Sequence, residues 1–349
     1  MSGATDAPIA PAGPPLPAGN SQRLTSVRGL AGRILSADTP SLQVLMLAIL
    51  FAVAAITIDG FVTKSSIYSV IVLASFLGVA AIGQTIVILI GGLDLSVASV
   101  ISAANLIMPA LTGKGWSPAL AILFVVVAGA LVGAANGFIV RRWRVSPLII
   151  TLATGGIVYG IALATTNSGL APANIPNWLS QFSSPIGKTF GIGIPPVVVL
   201  WIIVAVVIGV ILRRTASGRR VYATGANERA ADLAGVRTMR VWVGAFALSG
   251  GAAAVTGVLL VGFVDSASVG AGSQYLFTSL AAVVVGGTSL VGARGDYTRS
   301  VLGALILTLI STILIAHGAG SALQEAAYGF LILVFVGVYG RERRVRDQV

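Results

Sequence analysis

The chain has 349 residues, of which 56% are hydrophobic and 9% charged, with a mean hydropathy of +0.95. Soluble domains carry about 25% charged residues, so this composition excludes an ordinary water-soluble globule and indicates a protein built into a bilayer. The lack of cysteine excludes disulfides and thiolate metal sites. The net charge of +11 would suggest nucleic acid in a soluble protein, but here it follows from membrane topology and no nucleic-acid partner is expected.

Residues 1–40, rich in Pro, Gly, Ala and Ser, read as a disordered tail with no signal-peptide core. A membrane domain follows at 41–340, with a basic tail at 341–349. Apolar stretches long enough for a bilayer core of roughly 30 Å fall at 42–58, 67–90, 95–112, 118–140, 147–167, 194–212, 241–262, 276–292, 300–316 and 324–340. The predicted fold is therefore an all-α polytopic bundle of about ten transmembrane helices. The nineteen arginines cluster in both tails, at Arg141–Arg144, in 213–240 and at Arg294/Arg299, whereas Lys64, Lys114 and Lys188 occupy the alternate loops. Basic residues favour the cytoplasmic side, which places both termini and 213–240 inside.

In chain order, the first break is Gly91-Gly92-Leu93-Asp94-Leu95-Ser96. Paired glycines weaken a helix, and Asp94 is an acid among long apolar runs without a basic neighbour. Its carboxylate fits two compatible roles: a cap for a helix starting near Leu95, or a polar group on a transport path. Gln84, Thr85 and Asn105 either line the same path or are satisfied locally. Gly129, Gly133 and Gly137 recur every four residues, as do Gly156 and Gly160, marking close helix packing, with Asn136 available for an interhelical hydrogen bond. The neutral, proline-rich loop 168–193 lies outside; its Trp178 either receives an external protein or rests at the interface.

Arg213–Arg240 is a 28-residue polar island between apolar spans. Its centre reads as a short helix, with Asn227 as N-cap, Glu228 and Asp232 favouring its positive end, and Gly235 at C′. Later, Val285-Gly286-Gly287-Thr288-Ser289 repeats the earlier glycine break 195 residues on, pairing Gly286 with Gly91. Broken hydrophobic segments in two halves predict an internal repeat and point to a transporter's pathway. Span counting puts both pairs on one side, whereas an inverted repeat would separate them; either the repeat is parallel, or one segment is re-entrant and shifts the count.

Catalytic chemistry is missing from this pattern. Gly187-Lys188-Thr189 ends like a phosphate-binding loop but has Phe182 at its leading position. His317, the only histidine, has no second metal ligand.

With these motifs in view, the chain resembles the permease subunits of bacterial ATP-binding-cassette sugar importers of the ribose/xylose/galactose type, in the branched-chain amino acid/sugar permease superfamily. Four motifs carry the resemblance, in order: GGLDLSVAS (Gly91–Ser99); Asn136-Gly137 followed by Ser146-Pro147-Leu148-Ile149-Ile150-Thr151-Leu152; ATGANERAADLAGV (Ala223–Val236); and AAVVVGGTSLVGARG (Ala281–Gly295). The chain departs from the family pattern at Ala98, at Tyr159, and at Leu276 and Thr278, where acids are usual.

The resemblance implies a pore of two permease chains, identical or paralogous, in the bacterial inner membrane. ATPase subunits beneath would hold ATP and Mg, and a periplasmic or lipid-anchored binding protein would deliver the sugar. It also implies an ATPase-coupling role for Asn227, Glu228, Arg229, Ala230, Ala231, Asp232 and Gly235. Small alanine faces would allow close docking, with charged rim contacts from Glu228, Arg229 and Asp232. The helix-break set Gly91, Gly92, Asp94, Ser96, Gly286, Gly287, Thr288 and Ser289 would bear on translocation. An ion-gradient-driven secondary transporter is the competing reading and requires several intramembrane carboxylates or histidines.

Overall fold

A computed structural model describes residues 41–167, 174–189 and 191–340, with side chains to 337. The tails predicted at 1–40 and 341–349, and part of the 168–193 loop, lie outside the described residues. Among those described, the regular elements are all helices: α1 (Ser41–Thr57), α2 (Lys64–Leu89), α3 (Val97–Gly113), α4 (Pro118–Trp143), α5 (Pro147–Thr165), α6 (Asn177–Ser183), α7 (Pro196–Arg214), α8 (Ala216–Ala226), α9 (Glu228–Leu233), α10 (Thr238–Val264), α11 (Tyr275–Val285), α12 (Tyr297–Ala316) and α13 (Ser321–Gly340). Local chemistry sets several boundaries. Ser117 accepts from the Leu120 amide, with Pro118 at the first helical position, and Pro147 and Pro196 open α5 and α7 in the same way.

Six helices (α2, α4, α5, α7, α10 and α12) are long and apolar enough to cross a bilayer, while α1, α3, α11 and the 321–337 part of α13 are shorter apolar helices. The apolar stretch expected at 276–292 is helical only as far as Val285, in α11. Its 11 residues extend roughly 16 Å, well under a bilayer core, because the Gly286–Gly287 break ends it early.

The core forms where α10 lies against α4, α2 and α3. Here the four-residue glycine spacing does what it implied. A Cβ on Gly133 would fall 1.9 Å from the Phe246 carbonyl oxygen, and one on Gly129 or Gly137 would lie 2.6 Å from that of Gly250 or Trp242. Backbones this close allow dense dispersion contact where no hydrophobic effect drives association. Gly156 and Gly160 do not share this role. Open space surrounds both, and Gly155 is the α5 glycine that meets α3, at Ser99.

Two apolar runs are interrupted. At the end of α2, the Gly91 and Gly92 amides bond to the Ile88 and Val87 carbonyls, with Gly91 at φ +84°. This is a Schellman ending, in which the left-handed residue reverses the chain. The chain then turns back along α2. Gln84 donates to the Asp94 carbonyl (3.1 Å) and accepts from the Asp94 amide (3.4 Å), Thr151 accepts from the Leu95 amide (3.1 Å), and Asp94 accepts from the Ser96 amide (3.0 Å) and hydroxyl (2.5 Å). Only then does α3 begin, at Val97, with Ser96 as its N-cap residue. Asp94, expected as the cap itself, thus stands two residues before it and holds the cap residue.

The second interruption follows α10. Residues 265–274 run along α3, where Asn105 accepts from the Ser268 amide (2.8 Å) and Ser102 from the Gly272 amide (3.0 Å). α11 then continues to a second Schellman ending, with the Gly287 and Thr288 amides on the Val284 and Val283 carbonyls and Gly287 at φ +94°. Equivalent cap positions are Gly91 and Gly287, so the register of the two breaks is one residue off the glycine-pair match read from sequence.

Gly133→Val is expected to cost about 1–3 kcal/mol through overpacking, or to prevent accumulation, while Gly156→Val melts like the parent in detergent. Equal effects at the two sites would contradict the assigned interface. Asp94→Asn keeps an acceptor for Ser96 and is expected to melt close to the parent, whereas Asp94→Ala loses about 1–3 kcal/mol. A well-folded Asp94→Asn chain that no longer transports would show that the carboxylate serves more than the cap.

Candidate functional site

The glycine endings of α2 and α11 and the polar island meet at one end of the bundle. The Ala293 amide, in the segment after α11, donates to the Leu89 carbonyl at the end of α2 (2.9 Å). Helix α8 lies across this junction. A Cβ on Gly225 would fall 1.8 Å from the Leu89 carbonyl oxygen and 2.9 Å from the Ala293 nitrogen, so only glycine allows that approach. Tyr222 of α8 donates to the Gly295 carbonyl (2.8 Å). Burial, then the Asp296 carboxylate, push the Tyr222 hydroxyl pKa up, which keeps it a donor.

After α8 the chain turns sharply at Asn227 (φ −161°, ψ 103°), whose side chain accepts from the Ala230 amide at 3.0 Å. The expected cap is present, and α9 runs from Glu228 to Leu233. Gly235, at φ +81°, ends it: the Gly235 and Val236 amides bond to the Asp232 and Ala231 carbonyls. The sequence reading did not foresee that residues 216–226 form a separate helix. Their low overall hydropathy sets them apart from the apolar runs by which the other helices were read.

Two of the charges expected on the docking rim are engaged within the chain. Arg141, in the last turn of α4, pairs with Glu228 at 2.7 Å and with Asp232 at 2.5 Å. Asp232 also accepts from the Thr238 hydroxyl (2.5 Å), and Arg141 Nε donates to the same Thr238 oxygen (3.1 Å). The Thr238 hydroxyl and then Arg141 hold the Asp232 carboxylate below its ordinary pKa. Ala231 faces inward and is buried, so it is no part of an outward alanine face. The outward surface consists of Arg229, Ala230, Ala234 and above all Leu233, which is 85% exposed. Leu233 and Arg141 were missed from sequence. Leu233 carries a signal in hindsight, as a large apolar residue within a polar island.

A second brace stands beside the first. Arg213, at the end of α7, pairs with Asp296 and donates to Thr298 (2.8 Å), and Asp296 is the N-cap of α12.

The helix-break residues are mostly enclosed. Gly92, Asp94, Ser96, Gly286 and Thr288 are buried, Gly287 and Ser289 half-buried, and Gly91 exposed at the island end. Asp94 and Ser96 sit with Asn136, which donates to the Ser96 hydroxyl (3.1 Å), and with Ser249 of α10. The Asp94 Oδ2, Asn136 Oδ1 and Ser249 Oγ atoms are buried without a hydrogen-bond partner among the described residues. Thr85 bonds to Ser300 (2.8 Å), and Asn105 spans the Gly257 carbonyl and the Ser268 amide. Thr85 and Asn105 are thus satisfied inside the bundle.

The family described as branched-chain amino acid transport system / permease component matches residues 66–338. The ribose import permease protein of Bacillus subtilis is 33% identical over 83% of this chain and 89% of its own length. The ribose import permease protein of Escherichia coli K12 is 30% identical over 86% and 94%, and the fructose import permease protein of Rhizobium meliloti 35% identical over 76% and 74%. No solved structure matches the chain. By the extent of the family match and the coverage of these relatives, the chain belongs to the branched-chain amino acid transport system / permease component family.

Proposed function

We propose that this chain is the membrane-spanning subunit of an ATP-binding-cassette importer that carries a monosaccharide of the ribose or fructose kind into the cytoplasm. ATP and Mg are bound by separate ATPase subunits. A single observation carries the reading: a short, doubly capped helix, α9, presents an exposed Leu233 while its other side is tied to membrane helices. An apolar knob with small neighbours fits a cleft on a partner, where burial of the leucine supplies affinity and Arg229 supplies orientation.

The chain's own residues give such a contact a mechanical outlet. Displacement of α9 pulls on α4 through Arg141, and displacement of α8 pulls on the end of α2 and on 288–296 through Gly225 and Tyr222. Gly91 and Gly287 then act as joints, because each ends a helix in a conformation favoured by glycine. In this role the helix-break set transmits movement, and the sugar passes between two permease chains. The island, both tails and the termini lie in the cytoplasm, as the arginine distribution favours. An external binding protein docks at the opposite end, near α6 and Trp178.

The ten apolar helices each serve as a full or partial crossing. The order α2, the 90–96 break and α3 in one half, against α10, 265–274 and α11 in the other, fits an inverted repeat, since one interruption lies towards the island end and the other away from it. A gradient-driven carrier is disfavoured because Asp94, bonded to Ser96, is a poor proton or sodium relay on its own.

Leu233→Asp is expected to leave membrane insertion intact and to weaken co-purification with the cognate ATPase by at least about tenfold, with ATP-driven uptake in vesicles lost. Uptake that needs no ATP and collapses with an uncoupler would overturn the reading. Arg141→Gln is expected to retain ATPase binding while lowering sugar-stimulated ATP hydrolysis by about tenfold, since it removes the link from α9 to α4. Glu228→Arg should resemble it, because the new guanidinium faces Arg141; unchanged hydrolysis in both variants would remove the brace from the coupling path.

A further inference from the structure

A cavity of about 620 Å³ lies where α2, α7, α8 and α10 converge at the island end. Its walls divide by chemistry. Ile86, Ile211 and Leu248 form an apolar side from the ends of the membrane helices, and Gly244 has open space beside it, leaving a trough along α10. Arg220 from α8, Arg237 from the α9–α10 connection and Arg240 from the first turn of α10 form the other side. We propose that this cavity binds an anionic phospholipid of the adjoining leaflet, with its phosphate among the three arginines and an acyl chain along Ile211, Gly244 and Leu248.

The charge distribution selects this occupant. A topological bias explains why arginines are on this side, but not why Arg220 of α8 faces the same cavity as Arg237 and Arg240 at the start of α10. The carboxylates described at this end, Glu228, Asp232 and Asp296, are already paired with Arg141 and Arg213. No carboxylate among the described residues lies within ion-pair distance of Arg220, Arg237 or Arg240. The other surface acids among the described residues, Asp59, Asp265 and Glu325, follow α1, follow α10 and open α13, towards the opposite end of the bundle. Guanidinium groups match a phosphate through forked donor pairs, whereas the apolar wall has no use for a free ion. Ile211 and Leu248 are 37% and 39% exposed, so the trough opens sideways at the depth where headgroup meets acyl chain. Gly235, the cap of α9, also lines the cavity, so a bound lipid bears directly on the seating of that helix. The proposal does not depend on which solute the chain transports.

The test is native mass spectrometry of the full chain purified in detergent and titrated with dioleoyl-phosphatidylglycerol. The parent is expected to hold one phosphatidylglycerol more tightly than phosphatidylcholine. Its apparent affinity should fall at least about tenfold in the combined Arg220→Gln, Arg237→Gln, Arg240→Gln variant. Leu248→Trp, which fills the trough and keeps every charge, should weaken the same adduct. Arg142→Gln, Arg144→Gln and Arg219→Gln together, which remove equal charge from the same end outside the cavity, should leave it in place. Equal losses in the two triple variants, or equal binding of phosphatidylcholine, would overturn the site. Competition by glycerol phosphate at comparable concentration would make it an ion site without lipid. Unchanged lipid binding with lost ATPase binding in the first variant would reassign the arginines to a protein interface.

Discussion

Non-helical backbone inside a membrane bundle must find hydrogen bonds within the protein, and this constraint organises the fold. Both 92–96 and 265–274 leave amides and carbonyls that a continuous helix would have paired internally. Side chains from neighbouring helices serve them instead: Gln84 and Thr151 on the first, Asn105 and Ser102 on the second. Gln84, Ser102, Asn105 and Thr151 are thus supports for two interrupted helical runs. Their presence among long apolar runs costs little because each is paired where it sits.

The breaks in turn determine what the island can touch. A continuous helix through 90–96 would carry α2 beyond the bundle's end. The Schellman ending stops it at Leu89, whose carbonyl becomes a contact for Ala293 and for α8. Helices α8 and α9 therefore rest on the ends of interrupted crossings as well as on loops. Two arginines from the last turns of α4 and α7 tie the neighbouring segments together through Glu228, Asp232 and Asp296. These pairs are partly exposed, so their value lies more in fixing geometry than in stability.

Much of this was legible beforehand. Asn227 and Gly235 bounded α9 because caps are local and need only a few residues to form. Gly129, Gly133 and Gly137 announced a helix contact, since a four-residue spacing places them on one face. Gly156 and Gly160 share the spacing but face open space, so periodicity defines a face without naming its neighbour. Asp94 was recognised as a capping group, yet its attachment to Ser96 depends on a turn that begins only after the chain has doubled back.

Composition, arginine placement and local caps by themselves determined a helical membrane protein with a polar helix at one end, because hydropathy and capping act over short stretches. Only the tertiary structure decided which charges were free. Glu228 and Asp232 face Arg141, 91 residues from Asp232 in the chain, and no local pattern encodes that meeting. The same holds for the cavity beside α9, where Arg220 of α8 joins Arg237 and Arg240 at the start of α10 only because the two helices meet at this end.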